Sequence, residues 1–440
     1  MSTRDTLLRN TLWYALVTGV GLVAGLLMSV ILARGLGPAR MGEYSYLLWL
    51  VRTMAAVATL GYALATTRYT ADALGRGDRA QAGAFVTLFA RRQLMTTLVV
   101  VIAFLPFVLT LAPPDLLWPL LVVTVALFPM TLEGIYSQAA FGAQRYDITT
   151  QTSTLKMSLH LIAAIAAMAA GADILGLVIG TTLGTTITCA LQRRRALALY
   201  PDRSASIDAT AREELRAYLI PLSLVAVLDV VLWDRSEIFF LRLYASSAEI
   251  AFYSVAFGLG TRTMLAAEVA VGALLPTLAS LHGSGNHKEF GRIYRAAIRW
   301  VALVGVPLAA VGTAVAPALI TLLYGEPYRA VAVLFGPLMA TALLGVMRHV
   351  AWNALWASGD RKWALNSTWA SVIVKVGTAL LLIPTLGAWG AVVSHAAAQL
   401  TASALAFGAV ARRERCGFPV VDVVRIAAAG VAAFVCTGLL

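Results

Sequence analysis

The chain has 440 residues, of which 60% are hydrophobic and 13% charged, and its mean hydropathy is +0.80. A water-soluble domain carries about twice that charged fraction, which excludes a soluble enzyme or binding module and indicates a polytopic membrane protein. The formal net charge of +12 would suit nucleic acid if it were gathered on a soluble face, but its distribution along the chain has another pattern.

Apolar runs of roughly 20 residues cross a bilayer as helix. In chain order they fall at about 10–33, 43–66, 84–110, 116–140, 150–170, 173–192, 215–241, 249–280, 296–320, 330–357, 363–384 and 387–410. This predicts an all-α fold with twelve spans, and a thirteenth at about 421–440. The first run is about 24 residues long. That exceeds a secretory h-region, and no small-residue cleavage site follows, so it reads as a span.

With the N-terminus in the cytoplasm and the spans alternating, 22 of the 34 Lys and Arg residues fall in cytoplasmic segments. Four fall in outer loops (Arg34, Arg40, Arg242, Arg329) and eight inside the apolar runs. This is a positive-inside pattern. The basic balance therefore reports orientation in the membrane and contact with anionic inner-leaflet lipid, and no nucleic-acid partner is expected. The outer loops, such as "RGLGPARMG", "LAPPD" and "TLGAWG", are too short for a catalytic domain, so no enzyme is expected. Cys189, Cys416 and Cys436 show neither metal spacing nor a disulfide framework. His282 and His287 share a polar loop that reads as solvated, and no metal ligand set is evident.

The longest polar stretch, "QRRRALALYPDRSASIDATAREELR", divides the chain. Thr210 and Glu213 have capping-box spacing, which predicts a short helix leading into the seventh span. The halves echo each other: "GPARMGEYSYLL" (37–48) lines up with "SSAEIAFYSVAF" (246–257), and "RTM" occurs at 52–54 and at 262–264. Each offset crosses an even number of spans, so the repeats run parallel. The expected organisation is a six-helix lobe over 1–192, a basic cytoplasmic linker over 193–214, a second six-helix lobe over 215–411, and a last segment over 412–440 with the additional helix.

"ILARGLGPARMGEYSYLLWL", "LWDRSEIFFLRLYASSAEIAFYSVAF" and "LITLLYGEPYRAVAVLFGPL" resemble, in that order, the second, seventh-to-eighth and ninth-to-tenth helix regions of bacterial polysaccharide-export flippases. That family belongs to the multidrug/oligosaccharidyl-lipid/polysaccharide (MOP) superfamily, with the lipid II flippases and the MATE drug exporters. The resemblance implies passage of an undecaprenyl-pyrophosphate-linked oligosaccharide from inner to outer leaflet by alternating access, in contact with membrane lipid and alongside other polysaccharide assembly proteins. The second reading is a MATE-like, cation-coupled exporter of small organic molecules. No cofactor is expected; coupling to H+ or Na+ is left open.

Charges inside the spans are the candidate machinery, since each costs about 2.5–3.5 kcal/mol at mid-bilayer. Arg91, Arg92 and Lys156 lie near the cytoplasmic ends of their spans and fit either an interface anchor or a cavity mouth. Glu133 lies deeper, as a cavity or partnered residue. Asp229, Trp233 and Glu237 would share one face of a continuous seventh helix, flanked by Asp234 and Arg235. Lys375 has no acid near it in sequence, so a pair with Asp229 or Glu237 is expected. Asp229, Asp234, Glu237 and Lys375 are thus the candidates for ion coupling. The resemblance puts helices one, two, seven and eight around a central cavity. Arg52 and Arg262, mates in the repeat, are then expected to hold the lipid pyrophosphate, because guanidinium matches phosphate oxygens bidentately. Glu268, six residues after Arg262, is expected to hold one of these arginines when no ligand is bound. Arg348 completes the cavity candidates, and His349 beside it reads as a packed or hydrogen-bonded histidine.

Overall fold

In a bilayer the backbone must satisfy its own hydrogen bonds, so apolar runs become helices. In the computed structural model, which describes residues 3–171, 173–205, 209–268, 271, 274–358 and 361–438, the described residues contain no strand. Residues 359–360 and the last two of the expected thirteenth span lie outside the described residues. The helices are α1 (Thr3–Thr59), α2 (Tyr62–Gly75), α3 (Arg79–Leu111), α4 (Leu117–Gly142), α5 (Tyr146–Ala169), α6 (Ile174–Ala198), α7 (Ala209–Trp233) and α8 (Glu237–Tyr244). They continue as α9 (Ser247–Glu268), α10 (Leu274–Gly283), α11 (His287–Tyr324), α12 (Val331–Ala357), α13 (Arg361–Leu386), α14 (Ala388–Arg413) and α15 (Val420–Gly438). Nine helices among the described residues are long and apolar enough to cross a membrane.

Several expected boundaries move. The first two spans form one helical stretch, broken only at Gly37 (φ +70), which Pro38 follows. Glycine takes that left-handed step without a Cβ clash, so "RGLGPARMG" is helical on both sides of the break rather than a loop. The second span stops at Thr59 and resumes as α2 after Leu60 (φ +42) and Gly61 (φ +73). The seventh span is two helices, α7 and α8, and the eighth is α9 and α10. The expected short lead-in helix is instead the start of α7 itself.

By packing, the chain forms two units. One comprises the chain up to Leu36 with Leu47–Val230; the other comprises Gly37–Tyr46 with everything from Val231 on. The division therefore falls near the end of α7, beyond the expected linker. Local geometry explains why Gly37–Tyr46 joins the second unit. A Cβ on Gly42 would lie 1.6 Å from the Ser247 carbonyl oxygen, so only glycine permits that backbone approach. The Arg242 guanidinium sits 5.4 Å from the Tyr46 ring centroid.

Lipid tails are as apolar as leucine, so helices associate through close packing and hydrogen bonds. In the first unit Tyr62, Phe85, Phe89, Tyr136 and Tyr200 share one core cluster. The Tyr200 hydroxyl donates to the Ala139 carbonyl at 2.7 Å, and the Thr97 and Thr131 hydroxyls meet at 2.9 Å. In the second unit α12 is central and packs on α9, α11 and α14. Val99, Ile102, Leu322 and Leu381 are exposed, as lipid-facing positions should be.

Candidate functional site

The second unit buries a charge cluster at the break between α7 and α8. The helix stops at Trp233 because Arg235 adopts a left-handed conformation (φ +55), uncommon for a residue with a Cβ. The expectation that Asp229, Trp233 and Glu237 share a face of one continuous helix is thereby corrected. Asp234 lies in the break, and Glu237 becomes the first residue of α8. Asp229 lies on the part of α7 that packs with the first unit.

Of the two acids that sequence offered Lys375, the structure brings it Glu237. Lys375 Nζ lies 2.9 Å from Glu237 Oε1, with the two side chains 1% and 0% exposed. The same ammonium donates to the Leu232 carbonyl at 2.5 Å. That carbonyl belongs to the last turn of α7, whose oxygens lack intrahelical partners. One cation thus sits between the negative end of one half-helix and the acid that opens the next, where both helix dipoles favour the arrangement. His395 of α14 places Nδ1 3.4 Å from Glu237 Oε1, and the buried Tyr253 of α9 interacts with the same carboxylate. The Ser394 hydroxyl donates to the Lys375 carbonyl at 2.8 Å, fixing α13 against α14.

Arg348 of α12 is buried and stacked. Its guanidinium carbon lies 4.3 Å from the Trp233 ring centroid and 5.8 Å from that of Trp352. With the Gln399 amide oxygen turned toward α12, Arg348 Nε and the Gly345 N–H donate to it at 3.2 and 3.1 Å. Glu268 meets His349, Oε1 to Nδ1 at 3.0 Å. Arg262 is half-buried and folds back one turn: a Cβ on Gly258 would lie 3.4 Å from its Nη1.

In the first unit Glu133 is buried and takes Lys156 as its partner, Nζ to Oε1 at 2.9 Å and to Oε2 at 3.0 Å. Arg91 lines a cavity of about 570 Å³ with Arg193, Arg203 and Tyr136. Arg92 is half-buried, and Arg52, on α1 beyond the Gly37 break, is exposed. Sequence reasoning did not place His395, Tyr253 or Gln399 in the site. His395 and Gln399 are four residues apart within an apolar run, and two polar residues on one face of a span are the signal that pointed to them.

The family model described as polysaccharide biosynthesis protein matches residues 7–282, and that of the lipid II flippase MurJ matches residues 161–440. Curated protein sequences give no match. Among solved structures, a lipid II flippase MurJ in an inward closed conformation is similar with a TM-score of 0.75 at 11% identity, over 96% of this chain and 91% of that one. An inward-facing MATE family multidrug transporter of the MOP superfamily gives 0.72 at 17% identity, over 93% and 95%. A MOP superfamily transporter from Pyrococcus furiosus, described as having a binding pocket of reverse polarity, gives 0.58 at 16%, over 93% and 98%. At these identities the solved structures establish the fold. With both family models covering more than half of the chain, the chain belongs to the polysaccharide biosynthesis protein family of MOP superfamily flippases.

Proposed function

We propose that this protein carries an undecaprenyl-pyrophosphate-linked oligosaccharide from the inner to the outer leaflet of a bacterial cytoplasmic membrane. It does so by alternating access of two pseudo-symmetric lobes, with the N-terminus in the cytoplasm. The observation that carries this reading is Arg52, an exposed guanidinium inside an apolar run. Glu133, Glu237 and Glu268 each have a basic partner within their own unit, whereas Arg52 is exposed. An exporter of organic cations needs the opposite, an acid open to its cargo. Arg52, Arg262 and Arg348 are the candidates for the pyrophosphate and the first sugars, with Trp233 and Trp352 as stacking partners. The cavity bearing Arg91, Arg193 and Arg203 supports contact with anionic lipid. Partners from the polysaccharide assembly pathway belong to the same reading.

Protons are the coupling ion this cluster suits best. Half-helix ends commonly gather a coupling cation, and here the Lys375 ammonium lies where such a cation would go. Depletion of the protein should accumulate lipid-linked glycan in the inner leaflet, identified by mass spectrometry of the extracted lipids. An unchanged lipid-linked pool, with an organic cation accumulating in cells instead, would replace this reading by the MATE-like one.

A further inference from the structure

The second unit holds another polar cluster, away from the Glu237–Lys375 pair. α10 ends at Gly283 and α11 begins at His287, and the turn between them passes through Gly285 at φ +70. Asn286 caps α11, its side chain accepting from the Glu289 N–H at 3.2 Å. The turn brings the rings of His282 and His287 to 6.0 Å between centroids, at 86°. Glu414, at the end of α14, supplies a carboxylate that is 4% exposed. Its Oε2 lies 3.5 Å from His282 Nδ1 and 3.8 Å from His287 Nδ1, and one ligand atom from each residue falls within 4.8 Å of the others.

A buried carboxylate needs a counter-charge. Among the described residues the ion partners of Glu414 are these two rings. Both separations exceed a hydrogen bond of about 2.7–3.2 Å. His282 Nδ1 is buried and has no hydrogen-bond partner among the described residues. Three donor atoms therefore gather around one point without bonding to one another. Around a tetrahedral ion with bonds of about 2.0–2.2 Å, ligand atoms stand roughly 3.3–3.6 Å apart, which small side-chain rotations would reach from here. Two imidazoles and a carboxylate are borderline ligands that favour first-row divalent cations over Mg2+ or Ca2+.

We propose that His282, His287 and Glu414 bind one such cation, with Zn2+ as the best fit. It would clip the α10–α11 turn to the end of α14. Only a short segment then leads to α15, which is tied to α11 by Arg299 Nε and Asp422 Oδ2 at 2.6 Å and by the close packing of Gly430 on Val306. The ion would thus fasten the base of α15 to α11. The sequence reading of the His282–His287 loop as solvated has no view of Glu414, which lies 127 residues beyond His287 and outside the reach of a spacing motif.

The test uses the full chain in detergent, with any affinity tag removed, stripped with chelator, loaded with Zn2+ and desalted. Elemental analysis should find about one zinc per chain, and Zn2+ should raise the melting temperature. His287→Ala changes a ring that is 62% exposed, so it should fold normally; it should retain far less zinc and lose the thermal shift. Glu414→Gln is the second variant, read in the same way wherever its gel-filtration profile is normal. Co2+ loading should give a tetrahedral visible absorption band in the parent and none in His287→Ala. No zinc above background in the parent, or stoichiometric zinc in His287→Ala, would overturn the proposal.

Discussion

Lys375→Met removes the ammonium while keeping most of its side-chain volume. It leaves the Glu237 carboxylate, 0% exposed, without its cation, and deprives the Leu232 carbonyl of the Lys375 donor. Removing one member of a buried ion pair costs about 3–5 kcal/mol, and stranding a buried acceptor costs about 1–3 kcal/mol. Taking the low end of both gives roughly 4 kcal/mol. At about 2–4 °C per kcal/mol for a unit of this size, the melting temperature should fall by about 8 °C or more. His395 is a weaker partner at 3.4 Å, and its loss should cost less. Adding Glu237→Gln removes the stranded charge, and the double variant should recover most of the loss, because a neutral pair is often as stable as a buried ionic one. Thermal unfolding in detergent, followed by tryptophan fluorescence, reads both steps. The reasoning fails if Lys375→Met melts with the wild type, or if the double variant is no more stable than the single.

Arg52→Ala and Arg262→Ala should each accumulate lipid-linked glycan at normal protein abundance; loss of a charge-assisted bond of about 1.5–3 kcal/mol weakens binding about ten- to a hundred-fold. Arg→Lys at either position should recover only part of this, as scored by complementation of a depletion strain. A cysteine at Ser204 should resist impermeant thiol reagents in intact cells and react after lysis; ready labelling from outside would reverse the proposed orientation. Lys156→Ala should destabilise the protein less than Lys375→Met, because Lys156 is 29% exposed and water can reach the Glu133 carboxylate it leaves behind; equal melting temperatures for the two would contradict this ranking.

The spans were legible because hydropathy and helix length answer to one constraint, the satisfaction of backbone groups in lipid. Span edges such as those of α4, α5 and α12 lie within a few residues of expectation. The breaks were not legible. Arg235 in the left-handed region has no compositional mark, and neither has Leu60; the periodicity of 215–241 reads as one helix even though it folds as two. The Lys375 pair was half legible: an ammonium inside an apolar run must have a partner, but choosing Glu237 required knowing that α8 restarts there. The Glu268–His349 pair forms because α9 packs on α12, a tertiary choice that sequence separation cannot rank.

The break and the buried charge are one feature, and this bears on the coupling mechanism. Non-helical backbone at membrane depth persists only where something replaces the missing hydrogen bonds. At the end of α7 that role falls to Lys375, which donates to Leu232 and faces the acid that opens α8. A dissociable Na+ in this position would leave and return with each transport cycle, and the half-helices would loosen and tighten with it. A covalently attached ammonium cannot leave. It can only change its partner or pass a proton, and Glu237, His395 and Tyr253 are the groups around it that can exchange one. A carrier built this way should work in Na+-free medium and respond to the proton gradient. If glycan-lipid translocation in proteoliposomes required Na+ and ignored an imposed pH gradient, the Glu237–Lys375 pair would be a structural clasp and the coupling site would lie elsewhere.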